Sequence, residues 1–591
     1  MSPQATTHQA HGSTELDRVT GPYARHTAIG LARLAAPRRA PVIGRAGSGQ
    51  RTTGAALSGN GSADPAGSDR KSATTATTAP SATTAATATT AATATTPTTT
   101  TTAATAATET PQRASTAGSR RLGVTLAIVL FAQLMIILDL TVVNIALPNI
   151  ARGLQLSATG LSWVMNAYSL TFGGLLLLGG RAGDILGRRR VFLAGVALFT
   201  LASLAGGLAS SAPMLLASRA LQGVGAAFAT PATLATIITN FPEGRARTRA
   251  LALFTGVITG GASLGLVLGG MITQWVTWRW VFFVNVPVGA AVLLTAPRYL
   301  TESARQRGRF DAQGALTSTT GMAALVYGFI RAASSGWTDR LALAAFAAAA
   351  VLLTAFVLHE GRAAQPVTPL RLFADRSRAG AYVARLLLVG GMFGMFFFLT
   401  QFVQNVLGFS PLQAGASFLP MTLALFSVSR LAPRLIPRVG AKRLMLVGML
   451  PVVGGMTWLS QISPATTYWP GVLGPMLLLG VGMGLAFVPL TMASLAGVAP
   501  EDSGAASSMV NVTQQVGGAL GLAILVTVYG HASRAAAASK PSLGGRLEQT
   551  QHVLAHAMAT SFGAAAVFDA LALLVIVIAI RFRRAAAPAT S

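Results

Sequence analysis

From Leu122 onward the chain is a succession of apolar runs of roughly 20 residues, each ended by a short polar or basic segment. That is the length an α-helix needs to cross the hydrocarbon of a bilayer, where only helices and closed barrels satisfy their backbone hydrogen bonds. About fourteen such runs can be read: 122–146, 160–180, 191–209, 213–236, 250–272, 280–297, 313–331, 341–358, 380–402, 411–430, 443–461, 470–492, 503–528 and 559–580. The 591 residues are 52% hydrophobic and only 10% charged, whereas a soluble chain carries about 25% charge. The expectation is an all-α, multi-pass membrane protein.

The net charge of +27 would suggest nucleic acid in a soluble protein. Here the arginines lie mostly in an N-terminal tail and in short loops, and no basic patch is interleaved with exposed aromatics, so no nucleic-acid partner is expected. Cysteine is absent, which removes disulfides and thiolate metal sites. No histidine lies in the middle of an apolar run, and none of Lys71, Lys442 and Lys540 completes a phosphate-binding loop. Neither metal nor cofactor is expected.

Basic residues collect at alternate loops: Arg188, Arg189 and Arg190; Arg245, Arg247 and Arg249; Arg305, Arg307 and Arg309; Arg371, Arg376 and Arg378; Arg434, Arg438, Lys442 and Arg443; then Arg581, Arg583 and Arg584. The loops around 210–213, 404–410 and 462–469 have none, although Arg279, Arg340, Arg534, Lys540 and Arg546 blur the contrast. By the positive-inside rule the arginine side is cytoplasmic, and an even number of spans puts both termini there. All seven tryptophans map toward the opposite face, where they can anchor at headgroups. Residues 1–119 are poor in apolar runs, and Thr83 to Thr108 is Thr and Ala apart from Pro97. Such a segment cannot bury enough surface to order itself. It reads as a disordered cytoplasmic tail or an upstream start, with an organelle transit peptide as the lesser alternative.

Two acids fall within spans. Asp139 lies in Leu138-Asp-Leu-Thr-Val-Val-Asn-Ile-Ala-Leu-Pro148. A carboxylate at the bilayer centre costs about 2.5–3.5 kcal/mol, less toward an interface, and helix packing has no need of one. It is the candidate for binding a proton or cation. Asp569, in the last span, is read either as a buried structural acid or as a coupling group. Arg219, in Leu215-Leu-Ala-Ser-Arg219-Ala-Leu-Gln222-Gly223-Val-Gly225, either snorkels to the interface or faces a cavity. Arg385 is placed close enough to the basic face to snorkel.

Between the second and third spans stands Gly180-Arg-Ala-Gly-Asp184-Ile-Leu-Gly187-Arg-Arg-Arg190. The glycines allow a tight turn, and Asp184 can pair with arginine or cap the next helix. Gly261, Gly265 and Gly269 in the fifth span are four apart, a flat stripe for close helix contact. Asn511, Gln515 and Gly518 share a face of the thirteenth span, for cavity lining or for interhelical hydrogen bonds. Met392, Phe393, Met395, Phe396 and Phe397 crowd the ninth span, mostly as lipid-facing packing or else as a repackable apolar wall.

In these motifs and their order the chain, over residues 120–580, resembles the major facilitator superfamily, and within it the fourteen-span drug:proton antiporters. The Gly180–Arg190 loop matches the motif between helices 2 and 3, with Ile185 where a basic residue is usual. Leu138–Pro148, the helix 4 stretch, Trp278-Arg-Trp-Val-Phe-Phe-Val-Asn285-Val-Pro287 and the junction from Thr400 to Gly415 match motifs of that branch. Gly265-Leu266-Val-Leu-Gly269-Gly270 matches the antiporter motif except that Leu266 replaces its proline. The resemblance implies a major facilitator fold of fourteen helices with two six-helix bundles (120–298 and 380–584), an inserted helix pair with its loops (299–379) and tails at 1–119 and 585–591. It implies a cavity open alternately to each side.

The implied function is proton-coupled efflux of small lipophilic drugs, cationic ones among them, by a monomer in the cell membrane that is not an enzyme. Asp139 would carry the proton and Arg219 would tune it. Gly180, Asp184, Gly187, Arg188 and Arg189 would brace the inward-closed state, and Gly265, Gly269 and Gly270 would form the antiporter helix. Asn144, Asn166, Gln222, Gln401, Asn511 and Gln515 are the candidate cavity lining. The alternatives are a dedicated exporter of one self-made metabolite or antibiotic and, in another class, a non-transporting membrane sensor.

Overall fold

The computed structural model describes residues 112–241, 244–302, 311–363, 366, 368–499, 502–539 and 546–581. Among the described residues the long elements are helices: α1 (Gln112–Leu154), α2 (Ala158–Leu186), α3 (Arg188–Gly207), α4 (Ala212–Asn240), α5 (Arg245–Trp275), α6 (Trp280–Tyr299, interrupted at Val284), α7 (Ala312–Ser335), α8 (Arg340–Glu360), α9 (Arg376–Asn405), α10 (Pro411–Val439, interrupted at Phe418), α11 (Ala441–Leu459), α12 (Leu473–Leu495), α13 (Ser503–Ser539) and α14 (Arg546–Ala579). Among the described residues twelve helical spans are long and apolar enough to cross a bilayer. The two others, α7 and α11, have 24 and 19 residues; α7 is diluted by Thr317, Ser318, Thr319 and Thr320, and α11 opens on Lys442 and Arg443.

Several helices outrun their apolar runs. The first continues through Pro148 to Leu154 and is already helical from Gln112, inside the stretch expected to be a disordered tail; residues 1–111 and 585–591 lie outside the described residues. The thirteenth continues to Ser539 through an alanine-rich segment, and the fourteenth starts at Arg546. Hydrophobicity marks only the part of a helix that meets lipid, whereas alanine, glutamine and leucine carry the helix beyond it.

Short connections make consecutive helices antiparallel, so the loops bearing Arg188–Arg190 and Arg434–Arg443 share one face, here the basic face. Among the first six helices α4 packs on both α2 and α3, and α6 packs on α3. Among the last six, α12 packs on α10 and α11, while α9 packs on α13 and α14. α7 pairs with α8 and also rests on α2 and α13. Glycine permits the closest approach: a Cβ on Gly448 would come 2.8 Å from the Gly482 carbonyl oxygen, and backbones that near gain van der Waals contact and hydrogen bonding.

The glycine stripe of α5 lies on α1, Gly261 at Leu134, Gly265 at Thr141 and Gly269 at Val142. On the face away from the arginines, α5 also meets α10. Gly415 sits on the Leu266 carbonyl, Gly270 on Pro411 and Leu412, and the Leu412 amide donates to Gln274 at 3.1 Å. Nearby, the Thr400 hydroxyl of α9 donates to Asn144 of α1 at 2.9 Å, and Gln404 donates to the Ile145 carbonyl at 3.0 Å. Toward the basic face, Gly256 and Gly260 of α5 face open space.

Two packing expectations are corrected. Met395 and Phe397 of α9 are buried, with Met392 and Phe396 packed against the same core, so this cluster is interior and not lipid-facing. Gly390, Gly391 and Gly394 of α9 admit α13 and α14 and surround those side chains with protein. Trp278 is buried beside Gly153 with the Arg279 guanidinium stacked on it at 4.4 Å, unlike the exposed Trp275, Trp280, Trp337, Trp458 and Trp469.

Candidate functional site

Asp139 is buried where α1 meets α3, α4 and α6. Arg219 and Gln222, three apart on one face of α4, both reach it. Arg219 Nη1 lies 2.5 Å from Asp139 Oδ2, and Gln222 Nε2 donates to Oδ1 at 2.9 Å. The interruption of α6 at Val284 presents Asn285, whose Nδ2 donates to the same Oδ1 at 3.0 Å. Ser203 of α3 accepts from Gln222 at 2.7 Å. Arg219 is further held by the Val164 carbonyl at 2.9 Å and by Gln222 Oε1 at 2.9 Å, with its guanidinium 4.5 Å from the centre of the Tyr168 ring.

Arg219 therefore does not snorkel; it is fully buried, with partners on α1, α2, α4 and α6. Burying two charges is repaid only when geometry is good and the remaining donors and acceptors are matched. Here the carboxylate receives three donors, while Nη2 of Arg219 stays buried without a partner. Protonating Asp139 would cancel the charge that Arg219 faces and free the guanidinium to move, so the cluster can act as a two-state element biased by a proton.

Asn285 and Ser203 have no place in the sequence expectations as site residues. Asn285 was visible as the polar member of the turn around Trp278–Pro287. Ser203 had no signal beyond being a hydroxyl in an apolar span.

The expected cavity residues are dispersed. Gln222 belongs to the Asp139 cluster. Asn144 accepts from Thr400 and joins α1 to α9. Gln401 is half-buried and donates to its own helix at Phe397. Asn166 is buried with neither amide atom partnered by protein. Gln515 is buried too, its Cβ facing Gly173 of α2 and its Oε1 unpartnered. Asn511 is exposed, donating within α13 to Ser507 at 3.4 Å, so it and Gln515 differ in surroundings despite sharing a helix face.

The expected loop is only Gly187 between two helices, and across it Asp184 in the last turn of α2 pairs with Arg188 at the start of α3 at 3.0 Å. Gly187 turns with φ +104°, where a side chain would strain the backbone and its Cβ would meet the Glu302 carboxylate. Glu302, unremarked in the sequence, accepts from the Arg189 amide at 3.1 Å and lies 3.8 Å from Arg190. Gly180 adjoins Pro231 of α4. Gly265 and Gly269 meet α1, whereas Gly270 meets α10.

Arg385 does not snorkel. It is buried between α9, α12 and α13, donating to Thr491 at 2.9 Å and to Gln514 at 3.4 Å. Asp569 of α14 is buried against Gly391, with no hydrogen-bond partner on either carboxyl oxygen. Among the described residues no group of three His, Cys, Asp or Glu could hold a metal.

The model of the Major Facilitator Superfamily matches residues 129–522. The puromycin resistance protein pur8 of Streptomyces alboniger is 43% identical over 68% of this chain and 81% of its own length. The cephamycin export protein CmcT of Amycolatopsis lactamdurans is 42% identical over 68% of this chain and 83% of its own. The crystal structure of the nucleoside transporter NupG superposes with a TM-score of 0.56 at 11% identity, covering 78% of this chain and all (100%) of that one; it speaks for the fold alone. With long apolar helices in this arrangement and relatives of this kind, the chain is a multi-pass membrane transport protein, and it belongs to the Major Facilitator Superfamily.

Proposed function

We propose that this transporter exports a small amphiphilic molecule across the cytoplasmic membrane in exchange for protons, with the basic face and both termini in the cytoplasm. The observation that carries the reading is the enclosed Asp139–Arg219 pair, an ionisable group deep in a membrane protein that three side-chain donors hold in place. Asp139 takes the proton, Arg219 and Gln222 respond to its charge, and the helices α1–α6 and α9–α14 rock against each other as two bundles, with α7 and α8 riding beside them. The contacts of Leu266 and Gly270 with α10 belong to a form closed on the outside. The Asp184 loop engages the other bundle when the inside closes. Asn166, Gln401, Asn511 and Gln515 are offered as cavity groups, and the working unit as one chain.

Two versions differ in breadth. The relatives named for puromycin resistance and cephamycin export favour a dedicated exporter of one antibiotic or related metabolite over a broad pump for lipophilic cations. A panel that includes puromycin, a cephamycin and ethidium, offered to the protein in liposomes under an imposed pH gradient, separates them. A dedicated exporter accumulates one compound strongly. A broad pump accumulates several. A sensor accumulates none and tolerates loss of Asp139.

A further inference from the structure

Arg385 is a buried cation without an acid. Its partners are a hydroxyl and an amide, Thr491 of α12 and Gln514 of α13, and its Nε has no partner. The bond from Nη2 to Gln514, at 3.4 Å, is long for a hydrogen bond. Nε and Nη2 together form the edge of a guanidinium that takes two carboxylate oxygens side by side. That edge is thus unpartnered at one nitrogen and weakly held at the other.

The surroundings match a binding group better than a structural one. The phenyl ring of Phe487 lies 5.5 Å from the guanidinium. Gln514 and Thr491 are only half-buried, and Asn511, one turn nearer the basic face, is exposed although α13 packs against α2, α7, α9 and α14. Seven residues earlier on the same face of α9, Arg378 is also buried with an unpartnered Nε. Two buried arginines thus stand along α9, Arg378 within electrostatic reach of the Asp502 carboxylate and Arg385 held by a hydroxyl and an amide. Of the two acids within spans, Asp139 is taken by Arg219, and Asp569, unpartnered on both oxygens, is fully enclosed against Gly391, whereas the neighbours of Arg385 are half-buried.

We propose that Arg385 binds an acidic group of the transported molecule, with Gln514 and Thr491 as its adjustable neighbours, so that the substrates are organic acids or zwitterions and not simple cations. This rests on the export reading and narrows its substrate class. A hydrogen bond to a charged group contributes about 1.5–3 kcal/mol, which is a roughly ten- to hundredfold preference for an acid over its neutral ester.

The test uses the full chain in lipid nanodiscs and radiolabelled 1-naphthoate, its methyl ester and 1-naphthylmethylamine. The wild type is expected to bind the acid at least about tenfold more tightly than the ester or the amine. Arg385→Gln should erase that preference while eluting as a monodisperse species. Should that variant fail to fold, Arg385→Lys, which keeps the charge but not the fork, should weaken acid binding and leave ester binding unchanged. Equal or tighter binding of the ester or amine, no saturable binding of the acid, or a preference that survives Arg385→Gln overturns the proposal. A wild type that shows no acid preference yet transports under the gradient removes this site alone, and a wild type that shows the preference but no gradient-driven transport removes the coupling reading alone.

Discussion

Gly415 of α10 is seated against the main-chain carbonyl of Leu266 in α5, so closely that any Cβ there would collide with the oxygen. Leu266 stands where the antiporter motif of similar proteins has proline, and the close approach is made without that ring. One turn earlier in α10 and about two turns further along α5, the Leu412 amide donates to Gln274. The chain contains no cysteine, so Gln274→Cys and Leu412→Cys can be joined by a short bis-reactive reagent without background. Cross-linking of the resting protein, with arrest of transport, is the expected outcome. A pair that fails to react would mean that these helices stand apart in the membrane.

Asp139 and Arg219 should be energetically coupled. Removing one partner of a buried ion pair leaves an uncompensated charge and costs about 3–5 kcal/mol. Asp139→Asn and Arg219→Gln should each lower the melting temperature in detergent, and the double variant should lose less than the sum of the two. Additive losses would show that the two side chains do not act on each other.

Thr141 fills the space that Gly265 leaves. Gly265→Ala should destabilise by about 1–3 kcal/mol through overpacking, and Thr141→Gly should restore much of the loss in the double variant. Thermal unfolding followed by tryptophan fluorescence reads both. A Gly265→Ala protein as stable as the wild type would place α1 and α5 further apart.

Arg371 holds the carboxyl of Asp502, at the basic end of α13, below the usual carboxylate range through two hydrogen bonds of 2.6 Å. A depressed folded value stabilises the protein above the unfolded value of about 4, and that contribution disappears as pH falls through the folded value. The melting temperature of Asp502→Asn should lie below that of the wild type at pH 7, and the gap should close on acidification below about pH 4. A gap that persists unchanged at acid pH would assign the difference to something other than this charge.

The helices were legible because lipid imposes one length on every apolar run, and their order because short loops leave few alternatives. Asp139 stood out because a carboxylate inside such a run has no packing role, whereas Arg219 also admitted snorkelling, and only its contact with Asp139 removes that reading. What escaped was lateral. Asn285 of α6 reaches Asp139, and Ser203 of α3 reaches Asn285 and Gln222 behind it, and no spacing along the chain encodes that meeting. Arg385 looked peripheral by its distance from the basic end of α9, but α12 and α13 close over it. The α9 methionines and phenylalanines looked lipid-facing because an apolar side chain suits lipid and protein interior equally, and only the neighbouring glycines decide between them. The ends of α13 and α14 were missed because hydropathy stops at the membrane while helix propensity does not.

Uphill transport in liposomes, with and without the Asp139 carboxyl, tests the central claim most directly. Wild-type protein under an imposed pH gradient should concentrate the best-transported compound of the panel. Asp139→Asn should fall to the level of protein-free liposomes while still exchanging labelled for unlabelled compound at equilibrium. Gradient-driven accumulation that survives in Asp139→Asn would contradict the assignment of the coupling proton to this residue.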